Sequence, residues 1–334
     1  MGKITTVGID LAKNVFSVHA VDEGGAVVFR KTVRRSRLLA TVVQWPACLI
    51  GIEACAGAHD WARRFQALGH SVRIMAARFV TPYRLRGKND GNDAEAICEA
   101  VRRPSMRFVP VKSEEQQAIL ALHRVRQGFI EERTATINRI RGLLAEFGAV
   151  LPNRALEVRR GAAAASQGLP VLARGAISEL LDHLRLLDER VVAQDRELEA
   201  LARSSEAATR LMTVPGVGPL TALATVASVG RAHEFANGRQ FAAWLGLVPR
   251  QWSTGGKARL GRITKRGDAY LRTLLILGAR AALQMAARRD DKLSRWAIAV
   301  KERCGYHKAV VALAAKNARI VWAILARQSS FQAR

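Results

Sequence analysis

The first hundred residues open with three β-branched runs in succession before any amphipathic helix appears. KITTVGID, NVFSVHAVD and AVVFRKTV each have the Val, Ile and Thr content of a strand, and Asp22-Glu23-Gly24-Gly25 supplies the turn between the last two. Three antiparallel strands are therefore predicted at the start. A helical stretch from about Ser36 to Gln44 follows, then a short apolar strand in CLIGIEA, a helix in AHDWARRFQALG with a glycine stop, and a further strand in HSVRIMA.

This order, βββαβα followed by more helices, is that of an RNase H-like sheet, an analogy of fold that settles no chemistry. A chain of 334 residues exceeds what one core usually holds, so more than one domain is expected. From Ser113 to Phe147 there is no proline, and Ile130, Ile137 and Leu144 recur every seventh position after Ile119, Leu122 and Val125, which predicts one long helix. Beyond a Pro- and Ala-containing break around Leu151 to Pro170, the residues Leu180, Leu184, Leu187, Val191, Leu198 and Leu201 form a coiled-coil-like stripe with Gln194 as its polar member. The stripe serves either a helical hairpin packed on itself or an oligomerisation arm.

The predicted architecture is an α/β RNase H-like domain over 1–112, a helical coiled-coil connector over 113–205, and a mainly α C-terminal domain over 206–334. In the last, Val214, Pro215, Gly216, Val217 and Gly218 read as a tight turn before a helix starting near Leu220. Such a helix-hairpin-helix turn can offer backbone N–H groups to DNA phosphate, or can be a plain helix–helix connection. The remaining chain to Ala326 is helical by periodicity.

Lys and Arg number 53 against 28 Asp and Glu, leaving a net charge of +25 spread over the whole length. A folded chain with that surplus repels itself unless a polyanion neutralises it, and nucleic acid is the expected partner. A membrane surface is the rival polyanion, but no 18-residue apolar run and no signal peptide are read from the sequence. Cys48, Cys55, Cys98 and Cys304 stand far apart, without zinc-binding spacing, and are expected to be small buried hydrophobes in a reduced, cytoplasmic protein without structural zinc.

Four acids occupy places where such a sheet presents a metal site. Asp10 ends the first strand, Glu53 ends the fourth, and Asp90 and Asp93 in KNDGNDAEAI share one face of a starting helix. Hard oxygen ligands suit Mg²⁺ or Mn²⁺ for phosphoryl transfer. Taken singly, Asp10 and Glu53 could be strand-end caps, and Asp93 the N-cap of the helix through Ala100. A second constellation lies in GLVPRQWSTGGKARLGRITKRGDAYLR. Ser253 and Thr254 precede Gly255-Gly256 in what reads as a flexible loop, and Lys257, Arg259, Arg262, Lys265 and Arg266 surround it with positive charge. That loop is either a nucleophile's platform or an ordinary phosphate-binding surface loop.

Asp10 in VGIDLAKNVF, Glu53 in GIEACAGAHDWAR, Asp90 and Asp93, the PGVGPLTA turn and the run from FAAWLGLVPRQWSTGG to GDAYLR together resemble the DEDD-type insertion-sequence transposases. These are bridge-RNA-guided recombinases of simple bacterial mobile elements. The resemblance covers both ends of the chain in order and leaves the connector unmatched. It implies a RuvC-like N-terminal domain whose acids Asp10, Glu53, Asp90 and Asp93 hold a divalent ion, and a serine that forms a covalent phosphoserine link to DNA. The serine lands on Ser253, although relatives often place it directly before glycine, where Thr254 stands here. A composite site between subunits, a homo-oligomer such as a dimer of dimers, donor and target DNA, and a non-coding guide RNA that selects the sequence are also implied. Two rivals stand beside this reading: a metal-dependent nuclease of the Holliday-junction type that uses the same acids without a serine, and a non-catalytic nucleic-acid-binding protein.

Overall fold

A computed structural model describes all residues except 1, 86, 88, 231, 333 and 334, so Lys88 of the KNDGND run lies outside the described residues. The chain divides into two compact units, 1–114 with 232–236, and 115–231 with 237–334.

The first unit is built on a sheet of six strands, ordered β3-β2-β1-β4-β5-β6. β1 (Thr6–Leu11), β2 (Val15–Val21) and β3 (Val27–Arg34) form the expected antiparallel meander, in which Asp10 faces Ser17 across β1 and β2. A short helix α1 (Leu38–Val42) leads to β4 (Leu49–Glu53), which pairs parallel with β1. α2 (Ala58–Ala67) crosses to β5 (Ser71–Met75), parallel to β4. The one-turn helix α3 (Ala77–Val80), then α4 (Asp90–Val101) and the short antiparallel strand β6 (Phe108–Val109) complete the unit. β6 was not foreseen, since two residues are too few to show an alternation. This mixed α/β arrangement is compatible with an RNase H-like fold. Phe16, Trp61 and Phe65 fill one core of the sheet, the first two in edge-to-face contact at 5.1 Å. On the other face α4 buries Ala96, Ile97, Ala100 and Val101.

In the second unit α5 (Glu114–Glu146) is the long helix expected from its seven-residue repeat. α7 (Val171–Ser204) runs antiparallel to it, tied by Arg126–Asp195, by Arg133–Asp188 at 3.3 Å and by His183–Glu132 at 2.9 Å. The stretch read as a break contains a helix, α6 (Ala155–Ser166). Its run GAAAAS lacks an apolar period, yet alanine has the highest intrinsic helix propensity, and Pro152 and Pro170 merely bound it. Leu184 and Leu187 of the stripe are buried within this one chain, Leu184 in one apolar cluster with Ile137, Ile140, Leu144, Val158 and Ala162. The self-packed hairpin is thus what the stripe builds here.

A helical bundle follows, comprising α8 (Glu206–Met212), α9 (Pro219–Val229), α10 (Gly238–Trp244), α11 (Ala269–Met285), α12 (Lys292–Cys304) and α13 (Tyr306–Arg327). Between α10 and α11 the chain forms an antiparallel hairpin of β7 (Pro249–Thr254) and β8 (Lys257–Ile263). No uninterrupted apolar run of 18 residues is present, but α13, broken by Lys316, Asn317 and Arg319, has a mean hydropathy of 1.6 over 18 residues and is long enough to span a membrane. Half of that window is buried, and α13 packs against α10, α11 and α12.

Candidate active site and nucleic-acid interface

Two glycines reveal where the four acids stand. A Cβ on Gly8 would lie 2.1 Å from the Ala94 carbonyl oxygen, and one on Gly51 would lie 2.8 Å from Cβ of Val101, so α4 lies directly over β1 and β4 at these points. Side chains alternate along a strand, so Asp10, two residues beyond Gly8, and Glu53, two beyond Gly51, leave the sheet on that same face. The parallel register sets Ile9 beside Ile52, which brings the next residues, Asp10 and Glu53, to neighbouring strand ends. Cys98 of α4 contacts the Thr6 carbonyl at the opposite end of β1, so the first turn of α4, with Asp90 and Asp93, is at the acids' end. The Cys55 thiol registers the local field. It is pushed up from its ordinary value first by partial desolvation, although the residue is exposed, and then by the negative charges of Asp10 and Glu53.

Asp93 is not the N-cap of α4. That place belongs to Asn89, whose side-chain oxygen accepts from the Asn92 amide at 2.8 Å. Asp93 Oδ1 instead accepts from Arg84 Nη1 at 2.9 Å, both side chains being half-buried and partly exposed. Sequence reasoning missed Arg84; nothing in YRLRGKND separates it from the neighbouring cations. Among the described residues no three acids, histidines or cysteines are gathered tightly enough to hold an ion in common. The donor set is nonetheless all carboxylate at one end and one face of the sheet, and the guanidinium on Asp93 is the kind of charge that a divalent cation would replace.

The segment expected to be a flexible loop is the tip of the β7–β8 hairpin. Gly255 and Gly256 have φ of +55° and +76°, which suits the two-residue turn that matches strand twist. Every residue of β7 is exposed. Because so little is buried, the strands lack an apolar alternation, and only the Gly-Gly pair signalled the hairpin. Its base is held firmly: Thr264 donates to the Val248 carbonyl, Lys265 to the Gly246 carbonyl, and a Cβ on Gly267 would lie 1.7 Å from the Trp244 carbonyl oxygen.

The register sorts the side chains into two faces. Ser253 opposes Ala258, and Gln251 opposes Leu260, while Thr254 opposes Lys257 and Trp252 opposes Arg259. Opposed residues share a face. Ser253 Oγ therefore lies with Gln251, whose Nε2 donates to it at 2.8 Å, and Thr254 lies with Lys257, Arg259 and Trp252. Of the cations expected around this segment, Lys257 and Arg259 thus stand on the Thr254 face of the hairpin. Arg262 is exposed near the base of β8, and Lys265 and Arg266 lie in the clamped segment beyond it.

In the turn before α9, Gly216 has φ +85° and its Cβ would lie 2.5 Å from the Gly278 carbonyl oxygen of α11. Packing alone thus demands glycine at 216. Gly218 is exposed with nothing within 4 Å of a Cβ, and leaves space in front of α9. Of the cysteines, Cys48 and Cys98 are buried as expected, whereas Cys55 is exposed and Cys304 half-buried.

Comparison with known proteins bears on both units. The profile of the DEDD transposases of the IS110 type, described as "Transposase", matches residues 7–148, and that described as "Transposase IS116/IS110/IS902 family" matches residues 208–294. A probable family 20 transposase of Pseudomonas aeruginosa is 47% identical over 98% of this chain and 99% of its own length. The transposase for insertion sequence element IS1111A of Coxiella burnetii is 42% identical over 99% of this chain and 92% of its own length. The transposase for IS1328 of Yersinia enterocolitica is 39% identical over 99% of both chains.

Proposed function

The chain belongs to the IS116/IS110/IS902 family of transposases, and on that premise we propose that it is an RNA-guided recombinase that cuts and rejoins DNA through a phosphoserine. The observation that supports this reading is the placing of Asp10 and Glu53 near neighbouring strand ends, on the face of the sheet that α4, with Asp90 and Asp93 in its first turn, covers. A DEDD domain suggests a divalent metal; bound there, Mg²⁺ or Mn²⁺ would neutralise charge on the oxygens of a transferring phosphoryl group. The four carboxylates would hold it, and Arg84 would release Asp93.

The hairpin supplies the nucleophile in this proposal. Ser253 Oγ attacks phosphorus, a P–O ester to serine forms, and the bond to one deoxyribose oxygen breaks, that oxygen leaving with a proton. Reversal by a hydroxyl from another strand rebuilds the diester and frees the serine, so no high-energy cofactor is consumed. Gly218 and the cations Lys257, Arg259, Arg262, Lys265 and Arg266 would contact the backbone of donor and target DNA. The connector 113–205 and the C-terminal segment 206–334 would act as separate functional parts in a cytoplasmic homo-oligomer. A guide RNA would select the sites by base pairing.

The test is recovery of a covalent protein–DNA adduct from a suicide substrate, alongside sequencing of the RNA that copurifies from the native locus. An adduct dependent on divalent metal, together with one structured RNA, is expected. Full cleavage without an adduct would replace this reading with a metal-dependent nuclease, and an absence of both cleavage and metal binding with a non-catalytic nucleic-acid-binding protein.

A further inference from the structure

Away from the acids and the hairpin, α13 frames two adjoining open depressions, one of about 510 Å³ with α12 and one of about 320 Å³ with the start of α10. Trp296 lines the first, Trp322 the second, and Arg319 and Ala323 are common to both. Lys316 Nζ stands 3.9 Å from the centre of the Trp296 ring. The start of α10 presses on α13 so closely that a Cβ on Gly238 would be 3.0 Å from the Arg319 Cα, which brings Arg239 to the rim of the second depression.

Three cations therefore converge around two tryptophans, and among the described residues none of the three is paired with a carboxylate. The Lys316 ammonium is held below its ordinary value first by desolvation and then by the like charge of Arg319, a strain that an anion would relieve. An anion alone has no use for the apolar floor of Trp296, Ile320, Trp322 and Ala323, and duplex DNA presents phosphates while hiding the faces of its bases. An unpaired nucleotide offers both a phosphate and a flat ring.

We propose that this groove binds a single-stranded segment of DNA, with Arg239, Lys316 and Arg319 on the phosphates and Trp296 or Trp322 against a base. Its aromatic residues and two of its cations lie beyond residue 294, outside the segments matched by the family profiles. A strand unpaired during exchange is the natural occupant.

Binding of the full chain to a labelled oligothymidine of about a dozen nucleotides and to a short DNA hairpin duplex tests this. The exposed pair Arg239→Gln with Arg319→Gln is expected to weaken oligothymidine binding roughly tenfold and to make its log–log salt slope shallower by about 1.4, while duplex binding changes less than twofold. Oligonucleotides carrying 5-iododeoxyuridine should photocrosslink the unaltered protein at Trp296 or Trp322, a readout that needs no variant to fold. Equal losses on both ligands, no loss, a loss confined to an oligouridine RNA, or crosslinks that avoid both tryptophans would overturn the proposal. Equilibrium binding requires neither the four acids nor Ser253, so failure here leaves the recombinase reading intact.

Discussion

Arg84 donates from Nη1 to Asp93 Oδ1 at 2.9 Å, on the first turn of the helix that carries two of the four acids. A guanidinium at that place balances a charge that a metal ion would otherwise balance. Arg84→Ala is expected to tighten Mn²⁺ binding to the DNA-free protein about fivefold, the equivalent of about 1 kcal/mol for a partly exposed pair. Calorimetric titration of the variant reads this directly. Unchanged affinity would remove Asp93 from the ligand set.

Gly216 and Gly278 meet backbone to backbone, and a Cβ on Gly278 would lie 1.8 Å from the Gly216 carbonyl oxygen. Gly278→Ala should cost about 1–3 kcal/mol in overpacking, against about 1 kcal/mol regained in helix propensity. Gly218→Ala meets nothing and has φ −87°, so stability should hold. If phosphate approaches this turn, the same variant should weaken duplex binding severalfold. Denaturant midpoints and DNA affinities measured together separate the two glycines, and a Gly218→Ala protein with normal affinity would leave the turn a plain connection.

His123 links α5 to α11 through Nδ1 and the Tyr270 hydroxyl at 2.9 Å, and its Nε2 is buried without a partner. Burial, then Arg126, pushes it down to about 4 from 6.5. The native state therefore resists the proton that the unfolded chain accepts, and its stabilising share is present above 6.5 and lost as pH falls to about 4. A slope of up to about 1.4 kcal/mol per pH unit is expected in that window. His19 and His70 are also held low and act in the same direction, so the informative quantity is the difference from His123→Phe. Identical slopes would show that His123 is protonated in the fold. Asp188, held down by its bond to Arg159, adds its loss only below 3.8.

The connector's apolar residues fall into two sets. Leu184 and Leu187 are inside, at 2% and 0% exposure, whereas Val150, Val171 and Leu172 are open at the hairpin tip, the last at 89%. Leu184→Asp with Leu187→Asp should unfold the hairpin, lowering helicity before any change in subunit count. Val150→Glu with Leu172→Glu should preserve helicity and, if the tip joins subunits, reduce the assembled mass seen by light scattering. An unchanged mass would place the contact elsewhere.

Legibility followed burial. Strands β1, β2 and β4 were evident as β-branched or apolar runs buried almost throughout, β3 by its β-branched content although it is mostly exposed, and the helix from Glu114 to Glu146 by its seven-residue repeat. Asp10 and Glu53 stood out as charges at the ends of apolar strands, although β1 runs one residue beyond Asp10, to Leu11. The Ala155–Ser166 helix was missed because alanine marks no face, and the β7–β8 hairpin because its strands bury almost nothing. Arg84 on Asp93 and Gln251 on Ser253 depend on tertiary geometry and register, which no spacing in the chain encodes.

The hairpin register also sharpens the question of the nucleophile. Ser253 and Thr254 are neighbours in sequence but point to opposite faces, Ser253 toward Gln251, Ala258 and Leu260, and Thr254 toward Trp252, Lys257 and Arg259. Threonine is the poorer attacker, because its β-branch stiffens χ1 and crowds an in-line approach to phosphorus. Ser253→Ala should therefore abolish the covalent adduct, and Thr254→Ser should retain it. Gln251 donates to Ser253 Oγ and orients it, so Gln251→Ala should slow adduct formation about tenfold or more while DNA affinity holds. With the scissile phosphate on the serine's face, Lys257 and Arg259 serve the neighbouring backbone from the other side. Replacing them by alanine should then lower affinity and the salt slope, by about 0.9 per contact on duplex DNA, more than the rate of the bound complex. The reverse pattern, with rate falling more than affinity and the adduct mapping by peptide mass to residue 254, would move the reaction to the face of Thr254.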